Sequence, residues 1–425
     1  MKIINAKILT DGHRMENYSV HTDNGKIVSV KPSFIKDTIS YGQEDNNVFT
    51  LKQLKNLLTS SPGSALDLSF IQNMTLDLEY QYYIAPGFID IHNHGAMMAD
   101  AMDGTKEALD TIARFHAEHG VTTFLPTTMT APLTSYVDVF NALKDFTPSV
   151  PVTIPGIHME GPFLSAAAAG AQPSKDLLEP TDEHLKFLEQ YHHLIKLMTV
   201  SPDVSGIARL MDFCYDHHIT ISGGHDSAID TEVYEAINHH MASVTHIYCC
   251  SSGISRRNTP QKHIGLTQIG LLSPHLFCEV IADNCHVPRE LFDLIYKCKG
   301  YQKICLVSDA LRAAGMPPGQ YYLGSRTDGT LVDVTEDVAL LPGKNLFAGS
   351  ITPIYKMVHT LACEHNIPLE EITYMASSAP ADLLDLHGKG HIKEGFDSDF
   401  NVLSNDGSLI ATFMNDSYIH FRDSH

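Results

Sequence analysis

Basic residues are scarce in this 425-residue sequence: 29 Lys and Arg stand against 50 Asp and Glu, a formal net charge of −21. Such an imbalance repels nucleic acid and anionic membrane surfaces, so neither is expected as a main partner, and an anionic ligand needs a local basic pocket. No apolar run reaches the length of a membrane-spanning helix. The opening stretch MKIINAKILTDGH is short and interrupted by polar residues, unlike a signal peptide, so a cytoplasmic protein is expected. The eight cysteines (Cys214, Cys249, Cys250, Cys278, Cys285, Cys298, Cys305, Cys363) include no CxxC pair. Several lie in apolar strand-like runs, as reduced buried thiols do, and no disulfide is expected. What is abundant is apolar: 43% hydrophobic residues suffice for one big domain, or a big domain with a small companion.

From about residue 84 a short β-branched run, a polar turn and an amphipathic stretch recur. The strand-like runs are 84–92 (IAPGFIDIH), 121–127, 152–160 (VTIPGIHME), 195–202, 218–225 (HITISGGH), 242–248, 276–283 (LFCEVIAD) and 303–310 (KICLVSDA). Helical stretches fall between them, such as 107–120, with Leu109, Ile112, Phe115 and His116 on one face, and 180–195, opened by a proline and an acidic first turn. Strands alternating with helices predict an α/β fold, a (β/α)8 TIM-like barrel over residues 84–390. The flanks are strand-like and lack long helices, which predicts a small β-sandwich domain built from both chain ends, 1–83 with 391–425. Residues 32–80, with NN, SSPGS and the weakly helical FTLKQLKNLL, fit neither part and read as an insertion in the small domain.

In such a barrel the chemistry sits at the C-terminal ends of the strands. The run GFIDIHNHG sets His92 and His94 two residues apart, hence on one face of a strand end. The third strand ends in Glu160, the fifth in His225, the sixth in His246 and the eighth in Asp309, all metal-ligand types at one mouth. The chain has 25 histidines, and His116, His119, His192, His193, His217, His239 and His240 lie in helices or at their ends, where solvated or capping roles are the ordinary ones. Asp309 alone would also serve as an N-cap. Glu160 is harder to explain blandly, since a carboxylate ending an apolar strand is costly to bury unpaired. Four imidazoles and two carboxylates can hold two divalent metals with Glu160 between them, or one metal with the other groups free. A metal lowers the pKa of its water from 15.7 to about 7 and polarises a carbonyl, and Asp309 can take the water's proton and pass it to a leaving amine. The chemistry indicated is hydrolysis. His158, on the same strand face as Glu160, reads as a support for a ligand.

Taken together, PGFIDIHNHG, FLPTTMT, GIHMEGPF, SGGH, THIY, DNCHV, LVSDALRAAGMPPGQYYLG and LFAGS resemble the N-acetylglucosamine-6-phosphate deacetylase family of the amidohydrolase superfamily. The resemblance implies removal of acetate from an N-acetylhexosamine 6-phosphate, most readily N-acetylglucosamine 6-phosphate, with one or two divalent metal ions, zinc or iron(II). By motif, His225, His246 and Glu160 correspond to the family's principal metal site. His92 and His94 correspond to the pair that completes a second site in some members, and Asp309 to the catalytic acid/base. His286 matches a substrate-contacting histidine. Arg257 matches an arginine that binds phosphate in the neighbouring subunit's site, which implies a homodimer. Arg256, Arg257, Lys262 and His263 form an unusually basic cluster for so acidic a chain, and the guanidinium fork suits phosphate.

Three features depart from the family pattern. Gln172 stands where a histidine helps to polarise the substrate carbonyl, and an amide donates a hydrogen bond without becoming a cation. Cys249 and Cys250, in THIYCC, replace a stretch whose asparagine meets the phosphate; with Cys285 they read as pocket-lining residues. The 32–80 insertion is longer than the resemblance leads one to expect. The galactosamine epimer stays open as a substrate, as do an amidohydrolase reaction on a cyclic amide or an N-acyl amino acid and a non-enzymatic barrel that only binds.

Overall fold

A computed structural model of the chain describes residues 1–33, 47–60, 68–257, 259–325 and 329–422. It begins with β1 (Lys2–Thr10), β2 (His13–Asp23) and β3 (Lys26–Pro32), an antiparallel meander. Both turns are two-residue pairs, Asp11-Gly12 and Asn24-Gly25, with positive φ at each position. That is the type I′ geometry whose twist matches paired strands. β4 (Val48–Thr50) pairs with β5 (Thr75–Asp77), and β1 changes neighbour along its length: Lys2–Ile4 pair with β5, Lys7 and Ile8 with β6 (Tyr83–Pro86). The change falls at Asn5, which has φ 54° and donates from Nδ2 to Asp77 Oδ1 at 2.8 Å. The sheet thus forks around a core that includes Ile3, Ile8, Leu76, Ile84, Phe400 and Phe413. The segment expected to fit neither part adds Leu51, Leu54, Ile71 and Met74 to this core; its stretches 34–46 and 61–67 lie outside the described residues.

Gly87 alone separates β6 from β7 (Phe88–Asn93). The run 84–92, which reads as one strand, is therefore two, in different sheets. A Cβ at Gly87 would fall 2.2 Å from Thr122 Oγ1, so this close crossing requires glycine. After the short hairpin β8 (Gly95–Ala96) and β9 (Ala99–Asp100) come β10 (Val121–Thr128), β11 (Ile157–Glu160), β12 (Ile195–Val200), β13 (Thr220–Gly223), β14 (Met241–Val244), β15 (Phe277–Val280) and β16 (Ile304–Leu306). With β7 they make a parallel eight-stranded sheet in the order β16-β15-β14-β13-β12-β11-β10-β7, the expected barrel. The third strand starts at Ile157, later than residue 152, because Pro155 cannot donate to the ladder; Thr153 keeps a single bridge to Thr123. The seam between the outer strands is closed by Asp309 N donating to His92 O at 2.9 Å, His94 N to Ala310 O at 2.8 Å and Ser308 Oγ to buried Asp90 Oδ2 at 2.5 Å.

Helices pack outside. The helix Lys106–Glu118 buries Leu109, Ile112, Phe115 and His116, the face read from the sequence, and Thr105 caps it by accepting from Ala108 N at 3.2 Å. Each large apolar side chain buried this way contributes roughly 1.5–3 kcal/mol. After the barrel closes, β17 (Gly319–Leu323), β18 (Thr330–Val334) and β19 (Ala339–Leu340) form a small antiparallel sheet at the mouth; residues 326–328 lie outside the described residues. The chain then returns to its first sheet through β20 (Phe400–Leu403), paired with β6, and β21 (Leu409–Met414) and β22 (Tyr418–Phe421).

Candidate metal centre

The six residues singled out at the strand ends converge. Glu160 Oε1 lies 3.0 Å from both His225 Nε2 and His246 Nε2 and 3.6 Å from His92 Nε2, while Oε2 lies 3.3 Å from His94 Nε2. Asp309 Oδ1 is 3.2 Å from His94 Nε2 and 3.5 Å from His92 Nε2. They come from five places in the chain, His92 and His94 sharing one, and the chain leaves its strand sharply at three of them: His225, His246 and Asp309 have φ 47°, 25° and 45°. Left-handed backbone at a non-glycine residue costs on the order of 1–3 kcal/mol and persists where the surroundings hold it, as at functional sites.

The outer ring nitrogens decide what the inner ones can do. His94 Nδ1 donates to Thr127 O at 3.2 Å and His225 Nδ1 to Ala168 O at 3.0 Å; a carbonyl only accepts, so these nitrogens carry the protons. His92 Nδ1 faces Glu279 Oε2 at 2.9 Å. Neutral rings so oriented aim Nε2 lone pairs at the Glu160 carboxylate, a repulsive arrangement unless cations stand between. His92 Nε2 is buried without a hydrogen-bond partner. Imidazole and carboxylate donors fixed from behind by oxygen acceptors are the pattern of metal ligands with outer-shell support, and the set fits a divalent metal ion.

In the protein alone, protons fill that role. Burial opposes charge on His92, but Glu160 and Asp309 outweigh it and hold the ring well above its ordinary value. His94, likewise buried, is carried up to about 9 by hydrogen bonds with Asp309 and Glu160, and His225 is raised with help from Cys250 and Glu160. Against their own burial, Glu160 is pulled well down by His92 and His225, and Asp309 is pulled down by His92 and His94, so both are carboxylates. His158 sits behind His92 with ring centroids 4.5 Å apart and Nε2 2.8 Å from Thr199 Oγ1. Burial and the neighbouring His92 keep it neutral, in the supporting position read from the sequence.

A cavity of about 300 Å³ opens over this cluster. Cys249 and Cys250 form part of its wall, and Leu323, Leu346 and Phe347 of the small mouth sheet and the loop after it form an apolar side. His286 also lines it, with Nδ1 2.7 Å from Asp283 Oδ2, its ring against Phe347 at 4.4 Å and Nε2 buried without a partner. Gln172 lines it too, but its amide is engaged: Oε1 accepts from Thr130 N at 2.8 Å and Nε2 donates to Glu160 Oε2 at 2.6 Å. It therefore holds Glu160 in place. Arg257 is elsewhere: its guanidinium donates to Glu232 Oε1 at 2.6 Å and Ser227 O at 3.0 Å, and it does not line the cavity. No Lys or Arg is among the described residues that do. Sequence reasoning missed Glu279, whose Oε2 contacts His92 and accepts from His246 N at 3.3 Å. The signal was available, for Glu279 is a carboxylate inside the apolar run LFCEVIAD.

Comparison with known proteins identifies the family and the fold. The sequence profile of the amidohydrolase family matches residues 83–418. The N-acetylglucosamine-6-phosphate deacetylase of Lysinibacillus sphaericus is 33% identical over 326 residues, covering 75% of this chain and 80% of the relative. The enzyme of the same name from Vibrio furnissii is 31% identical over 338 residues, covering 78% and 81%. Among solved structures, N-acetylglucosamine-6-phosphate deacetylase from Pasteurella multocida superposes with a TM-score of 0.81 at 22% identity over 97% of this chain and 98% of that one, which establishes the shared fold. The chain belongs to the amidohydrolase family, and within it to the N-acetylglucosamine-6-phosphate deacetylase family.

Proposed function

We propose that this protein hydrolyses the acetamide of N-acetylglucosamine 6-phosphate, releasing acetate and the amino-sugar phosphate. The observation that carries the reading is the convergence of four imidazoles on Glu160, two of them also meeting Asp309, at the floor of a cavity of about 300 Å³, in a chain of this family. His225, His246 and Glu160 would hold the principal metal ion, zinc or iron(II), and His92 and His94 with Glu160 would hold a second. A bound divalent ion supplies an acidified water and a polarised carbonyl. Asp309, kept ionised by His92 and His94, accepts the proton of the attacking water and returns it to the leaving nitrogen. His286, oriented by Asp283, offers Nε2 to a sugar hydroxyl, and Cys249 and Cys250 shape the wall beside it.

The phosphate finds no Lys or Arg among the described lining residues. Our reading assigns it to Arg257 of a second chain in a homodimer, released from Glu232 when it binds. A cytoplasmic setting belongs to the same proposal: all eight cysteines are free thiols, which a reducing compartment preserves, and no described helix is long and apolar enough to cross a membrane.

The test is acetate release from N-acetylglucosamine 6-phosphate, its galactosamine epimer and the unphosphorylated sugars. Phosphorylated N-acetylglucosamine turns over best, and Asp309→Asn lowers kcat by about 10²–10⁴-fold with metal content retained. Arg257→Ala raises KM for the phosphorylated sugar about tenfold or more, the loss of a charge-assisted hydrogen bond worth about 1.5–3 kcal/mol. Equal turnover with and without the phosphate, or full activity in Asp309→Asn, would sink the reading.

A further inference from the structure

Three successive barrel strands are each preceded by a His-His pair: His192-His193 before β12, His217-His218 before β13 and His239-His240 before β14. β12, β13 and β14 are neighbours in the sheet, so these imidazoles gather where the strands begin, at the end of the barrel opposite Glu160. In each pair the first histidine is half-buried and the second exposed. A histidine at a helix C-terminus can serve the last carbonyls, which accounts for one imidazole per turn. It does not account for His218 (φ 59°) and His240 (φ 72°), which occupy the left-handed backbone where glycine costs less. Nor does it account for the convergence of His192 and His217, whose ring centroids are 4.2 Å apart. Glu189, one helical turn before His192, brings Oε2 to 3.1 Å from His217 Nε2, and ligand atoms of all three residues fall within 4.8 Å of one another.

We propose that Glu189, His192 and His217 form a further metal-binding site, separate from those at the barrel mouth, for a borderline divalent ion such as Zn²⁺. Two imidazoles and a carboxylate, with water in the remaining position, are a zinc donor set. Mg²⁺ and Ca²⁺ prefer all-oxygen surroundings and are poorly served here. His239 is committed elsewhere, its Nδ1 2.6 Å from Asp212 Oδ1. The ion staples the turn entering β12 to the turn entering β13, and because the unfolded chain lacks that juxtaposition, its binding raises resistance to unfolding by mass action.

Equilibrium dialysis of the metal-loaded protein against Zn²⁺, with elemental analysis, compares the wild type with His192→Asn/His217→Asn. The wild type retains one more zinc per chain, and added zinc raises its Tm but not that of the double variant. Glu189→Gln, which keeps both imidazoles, weakens the extra ion by roughly tenfold or more, since loss of even an outer partner of a ligand costs about 10–100-fold. Acetate release is unchanged in all of these, which shows that the mouth is intact. Equal zinc content in wild type and double variant overturns the proposal. So does an extra ion that survives there and disappears with His359→Asn, in the other exposed cluster with Cys363 and Asp406. Should the double variant fail to fold, unchanged zinc affinity in Glu189→Gln overturns it.

Discussion

Glu279 supports two sides of the metal centre at once, facing His92 Nδ1 at 2.9 Å and accepting from His246 N at 3.3 Å, with no exposure to solvent. A carboxylate behind an imidazole fixes the ring's tautomer and raises its basicity. Glu279→Gln keeps the shape and removes the charge, so metal affinity should fall roughly 10–100-fold while the far-ultraviolet spectrum stays unchanged. Dialysis with elemental analysis checks this, and undiminished metal content would show that the charge plays no part. The rule that picks out Glu160 in the sequence, a carboxylate too costly to bury unpaired, applies equally to Glu279. Its place inside a strand, before the end, hides it from a search of strand ends. Gln172 and Arg257 illustrate the opposite limit. Their types and positions are visible in the sequence, but that Gln172 in a loop holds Glu160 at the end of β11, and Arg257 in a loop holds Glu232 in the helix Asp230–Asn238, depends on how those loops fold back.

At the scale of elements, legibility follows how local the cause is. The Asp11-Gly12 and Asn24-Gly25 turns announce themselves in two residues, and the face of the helix Lys106–Glu118 follows from its apolar period. The break at Gly87 and the fork at Asn5 do not, because both are set by partners far along the chain. His116 shows how a readable face can carry an unread cost. Its ring stacks on Phe124 of β10 at 4.4 Å, its Nε2 has no partner, and burial pushes its pKa down to about 3. Between that value and the ordinary 6.5 the unfolded chain holds a proton that the native protein refuses, so stability falls as pH drops through this window. His116→Leu removes the refusal. Relative to wild type it should gain about 2 kcal/mol on going from pH 8 to pH 5, measured by urea unfolding at both pH values. A difference that does not change with pH would mean that packing alone distinguishes the two side chains.

At the scale of the molecule, the barrel was expected from alternating strand and helix patterns, and the sheet from both chain ends was expected from their common character. How the two meet was not, since the contacts join residues hundreds of positions apart. Gly87 N donates to Asp399 O at 2.9 Å, and Asn401 Nδ2 donates to Gly120 O at 2.8 Å. A pH-sensitive join is His391, with Nδ1 2.6 Å from Asp11 Oδ1 in the first hairpin and Nε2 3.6 Å from Asp382 Oδ1 in the helix Ala379–Leu383. Partial burial opposes its charge, but hydrogen bonds to Asp11 and Asp382 raise it to about 9, and both carboxyls lie below their ordinary values. A raised histidine stabilises fully below its unfolded value of 6.5, and that contribution disappears as pH climbs through about 9. The lowered carboxylates contribute above their ordinary range and lose that contribution in acid. The clamp therefore works in the window between. His391→Gln keeps a polar side chain of similar reach without the charge, so its Tm should lie below wild type at pH 6, approach it at pH 8 to 9 and meet it at pH 10. Thermal unfolding across that series decides the matter: a constant offset from pH 6 to 10 would mean that the shape of His391, and not its proton, joins the sheet to the barrel.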